Sequence, residues 1–325
     1  MEEIKNDFGI DLTVPGSEEN NNNTQETSFQ SSNGYNNSND DISLEGGYLT
    51  QEEEKDVNSI EIGISRNIPI VILFGARASG KTMALVRLSR WLENNGYDVE
   101  PVRDFRPSTS KHYQKMCEDF AKNIHSSTAH DSTNVLSFML VQVSKNGKSI
   151  CQILEAPGEH YFDEAKANMD FPTYIQGLTK AKVNGKRVPK TWVFIVECKW
   201  KGYEGQQIRP MYAKQISKML NKLDRSDRVI VLCHKADKQD TYFVKNNPDT
   251  SKFLAEIKSD YAPMFERLNN GFLSRLLKPE TFKYDFVVFS AGDFNKRADG
   301  KYQYTESDDK YPERFWKAIS KSVFN

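Results

Sequence analysis

Gly75-Ala76-Arg77-Ala78-Ser79-Gly80-Lys81-Thr82 carries the pattern GxxxxGK[ST]. Glycines at this spacing let successive backbone N–H groups turn inward around phosphate oxygens. A helix opening at the end of such a loop adds its positive end to the same concavity. Lys81 then reaches β- and γ-phosphates, and the Thr82 hydroxyl is placed as a Mg²⁺ ligand. That chemistry is nucleoside triphosphate binding, and it needs a buried strand before the loop and an amphipathic helix after it. Ile68-Pro69-Ile70-Val71-Ile72-Leu73-Phe74 is a short run rich in β-branched residues, the pattern of a strand covered on both faces. Beyond the loop, Ala84, Leu88, Trp91 and Leu92 recur at helical spacing with Arg87, Arg90 and Glu93 between them, and Gly96 supplies the stop.

The rest of the body continues in the same alternation. Val135 to Val143 and Ile150 to Leu154 flank Asn146-Gly147, a strong hairpin signal. Trp192 to Cys198, Val229 to Cys233 and Phe286 to Phe289 read as further strands. Helices are expected near Tyr113 to Ile124, along the stripe Tyr212, Ile216, Met219, Leu220 and Leu223, over about Lys252 to Leu277, and after Asp308-Asp309-Lys310-Tyr311-Pro312. Six strands with interleaved helices predict one three-layer α/β domain. The sheet is expected to be mostly parallel, with one antiparallel hairpin strand.

Three of these strands run into polar turns, where an open α/β sheet places its ligands. Val229–Cys233 leads into His234-Lys235-Ala236-Asp237, Val287–Phe289 into Ser290-Ala291-Gly292, and Ile150–Leu154 into Glu155-Ala156-Pro157-Gly158-Glu159. With the phosphate loop ahead of them, these segments resemble, over about residues 66 to 325 and in motif order, the translation-factor and Ras-related class of P-loop GTPases. The unusual elements look similar to the divergent GTPases of bacterial paired-GTPase or conflict systems.

The resemblance implies specific roles. Asp237 accepts two hydrogen bonds from guanine, a donor pair that adenine lacks. The Lys235 stem covers the base, and the Ala291 N–H reads O6. Glu155 stands where relatives carry the Mg²⁺-binding aspartate, Gly158 where a backbone N–H senses the γ-phosphate, and Glu159 where many carry a water-orienting glutamine, with His160 next to it. Four residues depart from the family pattern: His234 replaces an asparagine, Glu155 an aspartate, Glu159 the glutamine of many relatives, and Arg77 a small residue. Arg77 is a candidate for charge stabilisation of the transferring phosphoryl group, as an arginine finger provides. A first-switch threonine that binds Mg²⁺ is expected among Thr109, Thr128 and Thr133, with Thr133 favoured by its place just before a strand. The stretch 97–134 reads as an insertion that covers the nucleotide or binds an effector. The functional expectation is a Mg²⁺-dependent GTP/GDP switch with slow hydrolysis, acting on a protein effector or a second GTPase. A non-hydrolysing GTP-binding scaffold and an ATP-using P-loop kinase or ATPase remain open as alternatives.

Composition sets the boundaries. The chain has 325 residues and a net charge of −1. Residues 1–58 hold fourteen acids against two lysines, a balance of −12 that leaves +11 on the body. Their Asn- and Ser-rich stretches, poor in aliphatic residues, predict a disordered acidic tail, with the folded domain spanning 59–325. No apolar run approaches the ~20 residues of a membrane helix. The N-terminus lacks the basic and apolar segments of a signal peptide. Cys117, Cys151, Cys198 and Cys233 form no CxxC pair, which argues against zinc and disulfides and for a cytoplasmic location. Lys199-Trp200-Lys201 reads as a solvated loop, so a nucleic-acid partner is not expected.

Overall fold

The computed structural model describes residues 49–125, 138–166, 170–197, 202–236, 250–271, 278, 280–296 and 302–324. Its strands are β1 (Ile70–Phe74), β2 (Asp98–Pro101), β3 (Met139–Lys145), β4 (Lys148–Glu155), β5 (Lys182–Val183), β6 (Lys186–Arg187), β7 (Lys190–Glu197), β8 (Arg228–His234), β9 (Tyr284–Val288), β10 (Gly292–Lys296) and β11 (Tyr302–Glu306). The helices are α1 (Gln51–Lys55), α2 (Lys81–Asn94), α3 (Lys111–Ile124), α4 (Gly158–Tyr161), α5 (Thr173–Lys180), α6 (Gly202–Leu220), α7 (Thr250–Asp260), α8 (Ala262–Phe265) and α9 (Lys310–Phe324).

Seven strands form one sheet in the order β2-β3-β4-β1-β7-β8-β9. β1 lies between β4 and β7 and runs parallel to both, and β7, β8 and β9 continue in parallel. β3 is the one reversed strand, antiparallel to β2 and to β4. It enters β4 through Asn146 and Gly147 at φ 54° and 71°, the left-handed pair of a type I′ turn. The expected six strands become seven because β2 adds an edge. Its four residues, Asp-Val-Glu-Pro, bury only Val99 and end on proline, as edge strands do, so they leave little apolar pattern to read.

Every residue of β1 and of β7 is buried, which fits strands that are covered on both faces. The chain fills one side of β1 with β2, β3 and β4, then crosses to the other side for β7, β8 and β9. The order therefore switches at β1, and the crevice beyond its C-terminal end is where such sheets take ligands. α2 packs beside α3 and α9, and α6 beside α8. The helix expected over 252–277 breaks after Asp260, because Pro263 lies in the first turn of α8 and cannot continue a helix from before it.

The packed chain starts ahead of the 58/59 boundary that composition suggests. Among the described residues, packing on the body begins at Leu49. Thr50 and Glu53 form a reciprocal capping box on α1. The Glu53 carboxylate pairs with Arg106, and both side chains are buried. Leu49 and Val57 pack on the core and Ile60 is part of it. One acid–arginine pair and two apolar residues, Leu49 and Val57, dock the part of this segment ahead of the boundary, and a compositional average over 58 residues hides them. Among the described residues no helix is long and apolar enough to cross a membrane.

α2 is fastened from behind by two buried arginines. Arg87 donates to the Ser307 carbonyl at 2.8 Å and to Asp309, and it lies 3.2 Å from Glu306, which Arg90 meets at 2.8 Å. Arg87→Met keeps the stem packing but leaves these acceptors, so it should lower stability by about 1.5–3 kcal/mol, as expected for lost bonds to a charged group. Urea unfolding checks this, and an unchanged midpoint would mean the ties carry no net stability.

Candidate functional site

Beyond Phe74 the chain turns through residues 75–80 and enters α2. Two of these residues have left-handed backbone, Ala78 at φ 59° and Gly80 at φ 91°. Gly80 also has no room for a side chain, since a Cβ there would lie 2.7 Å from Cε1 of His234. Lys81 is buried, and its Nζ donates to the carbonyls of Gly75 at 3.0 Å and Ala76 at 3.1 Å. Burial pulls the ammonium pKa down, while the carboxylates of Glu155 and Glu159 push it back up. The Ser79 hydroxyl is buried with no hydrogen-bond partner among the described residues.

Register puts Glu155, the last residue of β4, level with Leu73 of β1. Its Oε1 accepts from the Thr82 hydroxyl at 3.2 Å, and its Oε2 accepts the Phe138 N–H at 2.7 Å. Burial drives this carboxyl up to about 7, against the opposing pull of Lys81, the Phe138 N–H and Thr82. The geometry suits a small hard cation. Neighbouring oxygens of an octahedral Mg²⁺ site, with bonds of about 2.0–2.1 Å, stand roughly 2.9 Å apart. The Thr82–Glu155 oxygens are close to that, and a cation would favour the ionised form that burial opposes. Among the described residues no three His, Cys, Asp or Glu side chains form a metal cage. Mg²⁺ commonly takes one or two protein oxygens and completes its shell from phosphates and water.

The turn after Glu155 sits directly on the loop 75–80. A Cβ at Gly158 would fall 2.3 Å from the Arg77 nitrogen and 2.5 Å from the Ala76 carbonyl carbon. Glu159 and His160, expected together as water-orienting candidates, part company here. Glu159 is exposed. His160 is instead buried, with Nδ1 bonded to the Tyr174 hydroxyl at 2.7 Å and its ring edge-on to Phe138. Burial lowers its pKa to about 4. Its neutral ring serves packing, because the four-residue α4 turns it inward. A cleft of about 390 Å³, lined by Leu49, Val57, Asn58, Glu159, His160 and Tyr161 among others, opens nearby and takes no residue of the loop 75–82. Arg77 is exposed, with no ion-pair or hydrogen-bond partner among the described residues.

On the other side of β1, the end of β8 faces the same loop. Lys235, at φ 58°, donates from Nζ to the Ala78 carbonyl and to Glu197 Oε1, each at 2.9 Å. Glu197 ends β7 and is in register with His234. The His234 ring is buried against Gly80 and lies 5.3 Å from Phe289, with neither nitrogen bonded among the described residues. Burial lowers its pKa to about 3, and the Lys235 charge adds to the effect. The loop after β9 is stitched alongside. Phe289 donates to Cys233 at 2.7 Å and Ala236 to Phe289 at 3.2 Å. Ser307 donates its hydroxyl to Ser290 and its N–H to Ala291, whose carbonyl also takes the Tyr304 hydroxyl. Gly292, at φ 136°, opens β10 with backbone of β11 packed where a Cβ would stand.

Lys81, Thr82, Glu155 and Gly158 thus meet on one side of the loop, and His234 and Lys235 on the other. Thr109 is exposed in the turn before α3. Asp237, Thr128 and Thr133 lie outside the described residues. Two residues join the site that sequence reasoning missed. Glu197 was signalled by an acid closing an apolar strand, whereas nothing in the sequence marks Phe138.

No established family profile matches the chain, and no curated protein matches it. Among solved structures it is similar to a putative nucleolar GTP-binding protein 1 from Plasmodium falciparum, at 12% identity over 71% of this chain and 80% of that one, with a TM-score of 0.35. The signal recognition particle receptor SRb-GTP/SRX complex from Chaetomium thermophilum matches at 11% identity over 78% and 98%, with a TM-score of 0.37. The GTPase-like domain of S. cerevisiae Ski7, bound to GDP and inorganic phosphate, matches at 14% identity over 83% of this chain and 52% of its own, with a TM-score of 0.36. The chain therefore spans about half of the Ski7 chain. Likeness this loose carries no weight for the function of this protein.

Two outcomes follow from the geometry. Gly158→Ala forces the turn off the loop and should lower stability by about 1–3 kcal/mol, as overpacking does; unfolding at wild-type urea would show that the turn yields freely. The two buried histidines stay neutral in the fold down to about 4 and about 3, while an unfolded chain protonates them near 6.5. Their stabilisation is complete above 6.5 and is lost as pH falls, on the order of 1 kcal/mol per pH unit for each ring. Glu155, shifted upward, runs in the opposite direction and cancels in a comparison with His234→Phe. That variant should lose less stability than wild type between pH 7 and pH 5 in urea unfolding, and equal slopes would place His234 in water.

Proposed function

We propose that this protein is a guanine-nucleotide switch of the P-loop GTPase class, a divergent member of the translation-factor and Ras-related group with the three-layer arrangement of that class. The observation that carries the reading is the Lys235–Ala78 hydrogen bond. Lys235 lies two residues before Asp237, so this contact anchors the base-reading motif on the loop that would hold the phosphates. Asp237 would take guanine through its N1–H and exocyclic amine, leaving adenine unable to satisfy the acid. The Lys235 stem would cover the base and Ala291 N–H would meet O6. The N–H groups of 76–82 and the third proton of Lys81 would surround the β- and γ-phosphates.

Thr82 and Glu155 would hold Mg²⁺, with Thr133 as the first-switch ligand. Bound there, Mg²⁺ would offset charge on the transferring phosphates. Gly158 would meet the γ-phosphate through its N–H, so the turn 156–161 would reorder when that phosphate leaves. Glu159 is the residue for orienting water, and Arg77 for adding positive charge at the same end. The exposed Arg77 and the carboxylate at 159, in place of a neutral amide, both favour slow intrinsic hydrolysis. A protein effector or a second GTPase, engaged by the 97–134 region or by the acidic tail, completes the reading, and we place the protein in the cytoplasm.

The second reading, a scaffold that binds GTP without hydrolysing it, is favoured by the inward turn of His160, which leaves Glu159 as the sole candidate of that pair on the surface. Nucleotide competition tests the main reading: GTP and GDP should displace labelled GDP while ATP does not. Asp237→Asn should shift preference towards xanthine nucleotides. ATP competing equally would remove the guanine assignment. Single-turnover incubation separates the two readings, since absence of phosphate release with wild-type protein would leave the scaffold.

A further inference from the structure

We propose that Arg106, clamped by Glu53, is a positioning residue for the Glu155 carboxylate and acts through Phe138. The proposal rests on the reading of Glu155 as a cation ligand. Glu155 receives its main-chain hydrogen bond from Phe138, whose backbone is at φ 66°. A bulky aromatic residue rarely adopts that conformation, so the surroundings must hold it there. They do so through the ring. Phe105 meets it edge-on at 5.6 Å, Tyr174 lies at 5.2 Å and His160 at 6.1 Å. The Arg106 guanidinium covers the ring at 5.0 Å, a cation–π contact made in a buried setting.

Arg106 is itself fixed from the N-terminal segment. It is 3% exposed and donates to the Glu61 carbonyl at 3.0 Å and to Glu53 Oε1. The other Glu53 oxygen accepts the Thr50 N–H at 3.0 Å, so both oxygens of this acid are engaged. The contacts run in one line, from α1 to Glu53, to Arg106, to Phe138 and to Glu155. Without the guanidinium the ring loosens, the backbone relaxes towards negative φ, and the N–H withdraws from Oε2. The carboxylate then turns about its remaining bond to Thr82. Partners that orient a ligand are ordinarily worth a large factor in metal affinity. The segment 49–59 therefore sets the cation site from outside the phosphate loop.

The test is release of fluorescent GDP from full-length protein as Mg²⁺ is titrated, with an EDTA sample giving the rate without metal. Arg106→Met keeps the stem and removes the charge. It should raise the half-maximal Mg²⁺ concentration about tenfold or more and leave the EDTA rate as in wild type. Glu53→Gln should shift the midpoint in the same direction. An unshifted midpoint in folded Arg106→Met overturns the proposal, as does an EDTA rate that rises by the same factor as the rate in Mg²⁺, the signature of a loosened fold. Should Arg106→Met show no cooperative unfolding, Phe138→Leu carries the test with the same expected shift, and its absence overturns the proposal. Wild-type release indifferent to Mg²⁺ overturns the cation reading of Glu155 and the proposal with it, whereas a responsive wild type beside an unshifted variant overturns the proposal alone.

Discussion

An ammonium and a carboxylate are buried together at the C-terminal ends of two neighbouring strands, and the organisation of the site answers to that constraint. Charges removed from water are costly unless partners replace the solvent. Here the replacement is incomplete on both sides. The Lys81 pKa is pulled down and that of Glu155 is driven up to about 7, so burial outweighs the attraction between them. The loop supplies two carbonyls for the lysine, and Thr82 and Phe138 supply donors for the acid. Among the described residues the ammonium has these two acceptors and the carboxylate these two donors. An anion and a small cation, bound together, would complete both shells. The burial of these two charges and the proposed ligand pair are therefore two sides of one electrostatic argument.

The contacts divide the site into fixed and yielding parts. Arg87 of α2 donates to the Ser307 carbonyl, and Ser307 in turn bonds the carbonyls of Ser290 and Ala291. The helix that carries Lys81 and Thr82 is thus tied through a single residue to the loop proposed to read the base. Lys235 makes a second tie across the opening. On the opposite side, Gly158 meets the loop by close packing of backbone on backbone. Hydrogen-bonded loops hold their geometry, whereas a contact made by packing at Gly158 can open when a phosphate enters or leaves, while His160 further along the same turn stays held by Tyr174. In the proposed switch, the motion belongs to that turn.

Much of this was legible in advance, for reasons that differ by element. β1, α2 and the loop between them announce themselves because a fully buried strand, an amphipathic stripe and a glycine pattern each leave strong local signals. Asn146-Gly147 fixed the β3–β4 hairpin for the same reason. The equivalent Asn184-Gly185, at φ 50° and 75°, went unread because its strands are two residues each and carry no alternation. β2 was lost to an edge of charged residues, and α1 to averaging over an acidic segment. At the site, the spacing of motifs brought out Lys81, Thr82, Glu155 and Lys235. The inward turn of His160 depends on Tyr174 and Phe138, which come from other elements, and no local pattern encodes that. Arg106 and Phe138 were silent for the same reason, since their roles arise from chain segments that meet only in three dimensions.

His234 shows how a departure from a motif can be absorbed. An asparagine at this position would have to place its amide by hydrogen bonds, whereas the imidazole presents a flat face. Gly80 has no Cβ, and the ring lies where that atom would stand. A side chain on Gly80 would therefore meet the ring, so this ring position depends on the glycine. Phe289 closes the far side, and burial keeps the ring neutral, so the contact behaves as apolar packing. The loop is then held by shape at this point and by Lys235 at the next. A loop positioned by shape and one ammonium has fewer directional bonds to lose than one positioned by an amide, so in the proposed reading nucleotide affinity should depend more on the lysine than on its neighbour.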